Sequence, residues 1–364
     1  MHISEIIKQI ESIAPVAYQE SYDNSGLLIG DSATEATGAL FTLDVTESVV
    51  DEAIAAGYNL IISHHPLIFK PLKRLNSKSD QDRCIIKAIK NDIAIYAAHT
   101  NLDNTPEGVN AMICSKLGLK KTKILQPMGE MLRKLAVFVP HEHAKKVRQS
   151  MFDAGAGRIG TYDQCSFNLA GNGTFRAGDA ATPYIGDKGI LHTEPETRVE
   201  VLCEAHNLSA VVKAMLQAHP YEEVAYDVYP LLNKNQYAGS GMIGELEVPM
   251  DEKSFLLMVK ETFGTGVLKH SPLTHKKIEK VSVCGGSGNF LIPQAMASGA
   301  DVFITGELKY HDYFLAEDRI LLVEAGHYET EQFTKELLYQ IVKEKFTTFA
   351  TRISAIPTNP VNYL

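Results

Sequence analysis

The chain has 364 residues, 45% hydrophobic and 22% charged, enough length for two to three domains with real cores and a composition that excludes a disordered or fibrous protein. Its 35 Lys and Arg against 44 Asp and Glu give a formal charge of -9. That balance does not indicate nucleic acid as a partner, although a local basic patch remains compatible with it.

Near the start, Ile3, Ile6, Ile7, Ile10 and Ile13 recur at three- and four-residue spacing among Glu5, Lys8 and Glu11. The pattern predicts an amphipathic helix and not a signal peptide, and no stretch approaches the ~18 apolar residues of a membrane span. A cytoplasmic protein with no membrane partner is the expectation. Five cysteines, odd in number and without a C-x-x-C pair, predict buried free thiols and not disulfides or a thiolate zinc site.

Residues 39–43 form a compact apolar run, 46–56 have helical spacing and 58–62 are apolar again, which reads as a βαβ unit. A helix is predicted over 81–90, a buried strand over 93–98 and a helix over 106–117, opened by Thr105-Pro106. Together these predict a parallel sheet flanked by helices. Between the turn-rich segments Pro127-Met128-Gly129 and Asn233-Lys234-Asn235, the chain twice repeats a strand followed by a helix: 134–139 with 142–154, then 199–204 with 208–218, closed by a strand at 224–230. This duplication is a ferredoxin-like α+β pattern, with residues 155–197 suited to hairpin and loop. Beyond it, strands at 281–284, 301–305 and 320–324 alternate with helices at 290–298, 310–317 and 329–345. The fold class is therefore α/β: two α/β lobes with parallel-type sheets forming one metal-binding unit, plus an inserted ferredoxin-like domain. The boundaries are 1–127, 128–236 and 237–364.

Four of the thirteen histidines stand at strand C-termini, where an open α/β sheet presents ligand sites. Ser63-His64-His65-Pro66 follows the first apolar strand pair; a surface or capping pair is the plainer account. His99-Thr100-Asn101-Leu102-Asp103 adds a carboxylate and a third imidazole. Here Asn101 and Asp103 could simply form a turn, and His99 could orient a ligand instead of being one. In Gly326-His327-Tyr328-Glu329-Thr330-Glu331, His327 and Glu331 are four residues apart, so they project from one helix face if the first turn begins here. Glu at a helix start also complements the dipole, which accounts for Glu329 but not for His327. His64, His65, Asp103, His327 and Glu331 exceed the three protein ligands of one open zinc site. Two divalent ions sharing a bridging carboxylate use such a set, and zinc, manganese and iron all suit the mixture.

The run Gly285-Gly286-Ser287-Gly288, between strand and helix, could offer N–H groups to a substrate phosphate, although it lacks the P-loop ending and could equally be a close-packed turn. Glu307 and His311, beyond the next strand, could serve as acid or base groups; a solvated helix cap is the competing account.

The motifs Tyr22-Asp23-Asn24-Ser25-Gly26-Leu27-Leu28-Ile29-Gly30, Ser63 to Pro66, His99 to Asp103, Cys284 to Gly288, Ile304-Thr305-Gly306-Glu307 and Gly326 to Glu331 resemble those of the NIF-three-like family, whose bacterial members are often labelled GTP cyclohydrolase I type 2 homologues. The resemblance implies a dinuclear site of His64, His65, Asp103, His327 and Glu331, with Glu331 as the bridge, in a toroidal homohexamer. Tyr22 stands where many members have tryptophan. The middle segment, with His219-Pro220-Tyr221-Glu222-Glu223, resembles the PII- or CutA-like insert of longer members, which implies a trimerising or ligand-sensing accessory domain. The expected function is a metal-dependent hydrolase of a small molecule or nucleotide, GTP cyclohydrolase-like or a phosphoesterase. The alternative is a non-catalytic metal-binding regulatory or scaffold protein.

Overall fold

The three apolar runs of the N-terminal part become neighbouring strands in a computed structural model that describes residues 1–364. Ala39–Thr42, Leu60–Ser63 and Ala94–Ala97 pair in parallel, and Thr351–Ile353 joins in parallel beside Ala39–Thr42. Gly26–Ile29 closes the opposite edge antiparallel to Ala94–Ala97. Every residue of the three central strands is buried, as a parallel sheet covered on both faces requires. The two-residue period sorts them. Phe41, Leu60, Ile62 and Tyr96 pack with Ile3, Ile6 and Ile10 of the Ile3–Ile13 helix and Leu338 of the Thr334–Lys345 helix. Leu40, Ile61 and Ile95 face Val49, Val50 and Ala53 of the Glu47–Ala56 helix and Ile85 and Ala88 of the Asp80–Lys90 helix.

The second sheet runs in the order Lys269–His270, Leu321–Glu324, Val302–Thr305, Lys277–Cys284, Asn235–Asp251, Lys120–Met128. Its three inner strands after the first are parallel, while Asn235–Asp251 and Lys269–His270 pair antiparallel to their neighbours. Phe303, fully buried, packs with Leu291, Ile292, Ala295, Ile320 and Leu322. Phe303→Ala should therefore cost about 3–5 kcal/mol in a urea unfolding titration. A change below about 1 kcal/mol would mean that this layer collapses around the gap.

Several elements differ from the expectations. The helix expected over 106–117 is Val109–Lys116, preceded by the single turn Thr100–Asp103. Thr105 does not cap it, because its hydroxyl donates to the Ile13 carbonyl at 2.7 Å. Gly108 takes the N-cap place, where a Cβ would lie 1.7 Å from the Leu102 carbonyl oxygen. The segment at 310–317 is a 3₁₀ helix, Tyr310–Ala316, stopped by Glu317 and Asp318 at φ 48° and 53°. The last helix is two, His327–Glu331 and Thr334–Lys345. The Glu252–Phe263 helix and the long Asn235–Asp251 strand were not anticipated. All five cysteines are free, four of them buried.

The chain divides into two compact units, residues 1–126 with 238–364, which hold both sheets above, and residues 127–237. In the second unit the strands Leu132–Pro140, Ser166–Phe175, His192–Glu204 and Tyr226–Pro230 alternate with the helices Ala144–Asp153 and Leu208–Ala218 in β-α-β-β-α-β order. The sheet is antiparallel, in spatial order second, third, first, fourth. Val137, Val139, Val199 and Val201 meet Val147, Met151, Val211 and Met215 of the helices, which cover one face only.

Candidate metal centre

The strand-end rule brings the histidines together. His64 and His65 leave the Leu60–Ser63 strand, His99 follows Ala94–Ala97 and caps the turn that carries Asp103, and His327 opens the helix that ends at Glu331. Each of the four imidazoles has Nδ1 on an oxygen acceptor. His64 Nδ1 lies 2.8 Å from the Ala98 carbonyl, His65 Nδ1 2.7 Å from Asp44 Oδ1, His99 Nδ1 2.7 Å from Asp23 Oδ1 and His327 Nδ1 2.9 Å from Glu307 Oε1. A carbonyl or carboxylate can only accept, so Nδ1 carries the proton and a neutral ring is left with its lone pair on Nε2.

Glu331, 3% exposed, stands among these Nε2 atoms. Its Oε2 is 2.9 Å from His65 Nε2 and 3.0 Å from His327 Nε2, while its Oε1 is 3.7 Å from His64 Nε2. His64 Nε2 is also 3.7 Å from Asp103 Oδ1, and neither atom has a hydrogen-bond partner although both are buried. A lone pair facing carboxylate oxygens without a proton between them is unfavourable by itself and is relieved by a cation. The donor set therefore fits divalent metal ions. Two groups have ligand atoms close enough to share one: His64, His65 and His99, and His65, His327 and Glu331. His99 thus joins the cluster more closely than its reading as an orienting group alone implied.

The electrostatics agree. Burial disfavours charge on Glu331, but the surrounding histidines outweigh it and hold its carboxyl well below the usual range. Burial, reinforced by the Glu331 charge, pushes Asp103 well above the usual range. Burial lowers His64. For His65 and His327 burial also works against the charge, yet Asp44 and Glu331 push His65 up to about 10, and Glu331 with Glu307 pushes His327 up to about 9. Both lie above the ordinary 6.5, so their contribution to metal-free stability is full below that value and is lost as pH rises through about 9 to 10. Metal must displace these protons, and its affinity should climb from pH 6 towards 9 with proton release. Calorimetry in two buffers of different protonation enthalpy checks this; an affinity independent of pH would contradict it.

Of the two readings of the glycine loop, phosphate cradle or close-packed turn, the hydrogen bonds favour the turn. Gly285 N–H donates to Asn110 Oδ1 at 3.0 Å, Gly286 N–H to Thr330 Oγ1 at 3.1 Å and Gly288 N–H to Thr305 Oγ1 at 2.9 Å, so these donors are used inside the protein. Gly286, at φ 60°, makes room for Glu331, since a Cβ there would fall 2.2 Å from Oε1. Ser287 belongs to the same turn and is not joined to the cluster. Glu307 is at the site, half-exposed, as the orienting partner of His327. His311 is exposed and packs against Tyr310 and Phe314. Asp23 and Asp44 were missed. Burial opposes the Asp23 charge, but bonds from His99 and Thr100 hold its carboxyl well below the usual range; Asp44, likewise opposed by burial, is lowered by His65.

The comparisons with known proteins agree with this architecture. The family model described as Duf34/NIF3 (NGG1p interacting factor 3) matches residues 1–360. A relative from Halalkalibacterium halodurans named "GTP cyclohydrolase 1 type 2 homolog" is 40% identical over 364 residues, 99% of this chain and 98% of its own. A Bacillus subtilis protein of the same name is 40% identical, with the same shares covered. A solved Bacillus cereus structure described as a protein related to NIF3 superposes with a TM-score of 0.85 at 40% identity, covering 100% of this chain and 99% of that one. With a family match across almost its whole length and relatives at this identity, the chain belongs to the Duf34/NIF3 family.

Proposed function

We propose that this chain is a dinuclear metal-dependent hydrolase of a nucleotide or related small molecule. His64, Asp103 and one oxygen of Glu331 would hold one divalent ion, and His65, His327 and the other oxygen the second; zinc, manganese and iron all suit these donors. The observation that carries the reading is the pair of buried, partnerless atoms His64 Nε2 and Asp103 Oδ1, facing each other across 3.7 Å beside Glu331. When bound, such ions lower the pKa of a water and neutralise charge developing on the substrate. The chain's own residues do the rest. Asp44, Glu307 and the Ala98 carbonyl fix the ring orientations before metal arrives, and Asp23 holds the proton of His99 on Nδ1, leaving Nε2 to accept one. Phe69 lies edge-on to His99 with centroids 6.1 Å apart, and Tyr22 packs beside Phe69 at 6.4 Å, giving the rim an aromatic surface for a flat substrate.

The name carried by the relatives makes GTP the first substrate to try, with ring opening and loss of the purine ring carbon as formate the expected product. Metal-loaded protein is incubated with GTP, other nucleotides, phosphoesters and cyclic amides and the products are read by mass spectrometry. The expected result is turnover of one class, lost on chelation and in His64→Ala. Full metal occupancy with no turnover of any of them would overturn the hydrolase and leave a metal-binding regulatory or scaffold protein. A homohexameric ring and a cytoplasmic location belong to the same proposal, and particle mass in solution tests the first; no helix is long and apolar enough to cross a membrane.

A further inference from the structure

The unit of residues 127–237 contains a cavity of about 610 Å³ on the sheet face that its two helices leave uncovered. Phe138, Gly171, Glu196 and Arg198 form its floor, and Tyr184 and Tyr221, from two loops, stand at its wall. The loops are tied together by the Thr182 N–H, which donates to Glu222 Oε1 at 2.7 Å.

Two glycines on one strand explain how the space arises. Gly171 and Gly173 lie inside the Ser166–Phe175 strand, two residues apart and so on the same face, with Gly171 directly opposite Glu196. A Cβ at Gly173 would fall 2.2 Å from Glu196 Oε2, so this glycine seats the carboxylate. A Cβ at Gly171 would meet nothing within 4 Å, and its backbone is extended, so any residue could stand there. Glycine weakens a strand interior and commonly marks the close approach of another molecule. Here it keeps the floor open.

The polar groups around that space are incompletely partnered. Glu196 is only 8% exposed, and no lysine, arginine or histidine pairs with it. The buried Tyr221 hydroxyl faces the Glu196 carboxylate, close enough to feel its charge but without a well-formed hydrogen bond to it. Arg198 spends one terminal nitrogen on Glu200 at 3.0 Å and lies over the Phe138 ring at 5.7 Å, while its Nε is buried and unpartnered. Buried polar groups are ordinarily satisfied, so this cluster is complementary to something that supplies donors to Glu196 and an acceptor to Arg198. A carboxylate is best matched by two adjacent N–H groups in a fork, and the surrounding rings match a flat molecule. We propose that this cavity binds a small planar molecule carrying an amidine- or guanine-type pair of N–H donors, received by Glu196 between the aromatic side chains. The inference stands independently of the metal centre.

The test uses the full chain, with benzamidine and guanosine as probes and adenosine, which lacks the adjacent donor pair, as control, followed by calorimetry or ligand-observed NMR. At least one probe should bind saturably and about tenfold or more tighter than adenosine. Glu196→Gln should weaken that binding by about tenfold or more, and Gly171→Leu should abolish it by filling the floor, with metal content unchanged in both. If Gly171→Leu fails to fold, Gly171→Val takes its place. Failure of both probes to saturate wild-type protein overturns the proposal, as does undiminished affinity in folded Gly171→Leu. A change in particle mass in Gly171→Leu with neither probe bound by wild type would show the cavity to be a seat for another copy of the chain, and would overturn it too.

Discussion

Metal-replete protein is expected to carry about two divalent ions per chain, and Glu331→Gln to lose both together. The glutamine keeps the length of the side chain and its packing against Gly286, but it removes the charge that faces His64 through Oε1 and His65 and His327 through Oε2. Asp44→Asn is the informative control. It weakens the hold on His65 Nδ1, 2.7 Å away, and touches no proposed ligand otherwise, its other partner being the Thr358 hydroxyl at 2.6 Å; removal of such an orienting partner costs about 10–100-fold in affinity. Glu331→Gln should exceed that range for both ions. Elemental analysis after dialysis against limiting chelator measures the occupancies. One ion per metal-replete wild-type chain would exclude the dinuclear arrangement, and loss of a single ion in Glu331→Gln would show that each oxygen of Glu331 does not serve its own ion.

What could be read from the sequence followed a simple rule. Short apolar runs bounded by polar residues are central parallel strands, and the residues just past their ends converge, which makes His64, His65, His99 and His327 legible in the sequence. The same rule applied to the 39–42 strand would have reached Asp44 two residues beyond it, and the Tyr22-Asp23-Asn24 run held Asp23; both are carboxylates whose role exists only through a histidine on another strand. The composition of the glycine loop left an anion cradle and a close-packed turn equally open. Only the partners of its N–H groups, Asn110, Thr330 and Thr305 from three separate segments, distinguish a packed turn from an open one. The Asn235–Asp251 strand was hidden by its glycines. Gly241, at φ 63°, and Gly244 interrupt the apolar alternation where the backbone comes close to Val283 and to Lys120. Those close approaches are long-range, and local propensity carries no trace of them.

The same pair of strands supports the second large expectation, that the residues 127–237 unit can be removed while the metal centre survives. That unit has its own core of Leu135, Val137, Val199, Val211 and Met215, whereas every residue proposed to hold metal belongs to the other unit. The cut ends, Gln126 and Ala238, lie on Lys120–Met128 and Asn235–Asp251, which are neighbours in one sheet. Along these strands Gly244 approaches the Lys120 carbonyl and Gly241 approaches Leu125, so the partner residue number rises as the other falls and the cut ends come out side by side. A short flexible linker from Gln126 to Ala238 therefore has little distance to span, and closing so small a loop costs little entropy. The expected product is soluble, carries the same metal content as the full chain and, on the inference above, no longer binds benzamidine or guanosine. An insoluble or metal-free product, made under conditions that load the full chain, would show that the outer unit draws part of its core from the insert.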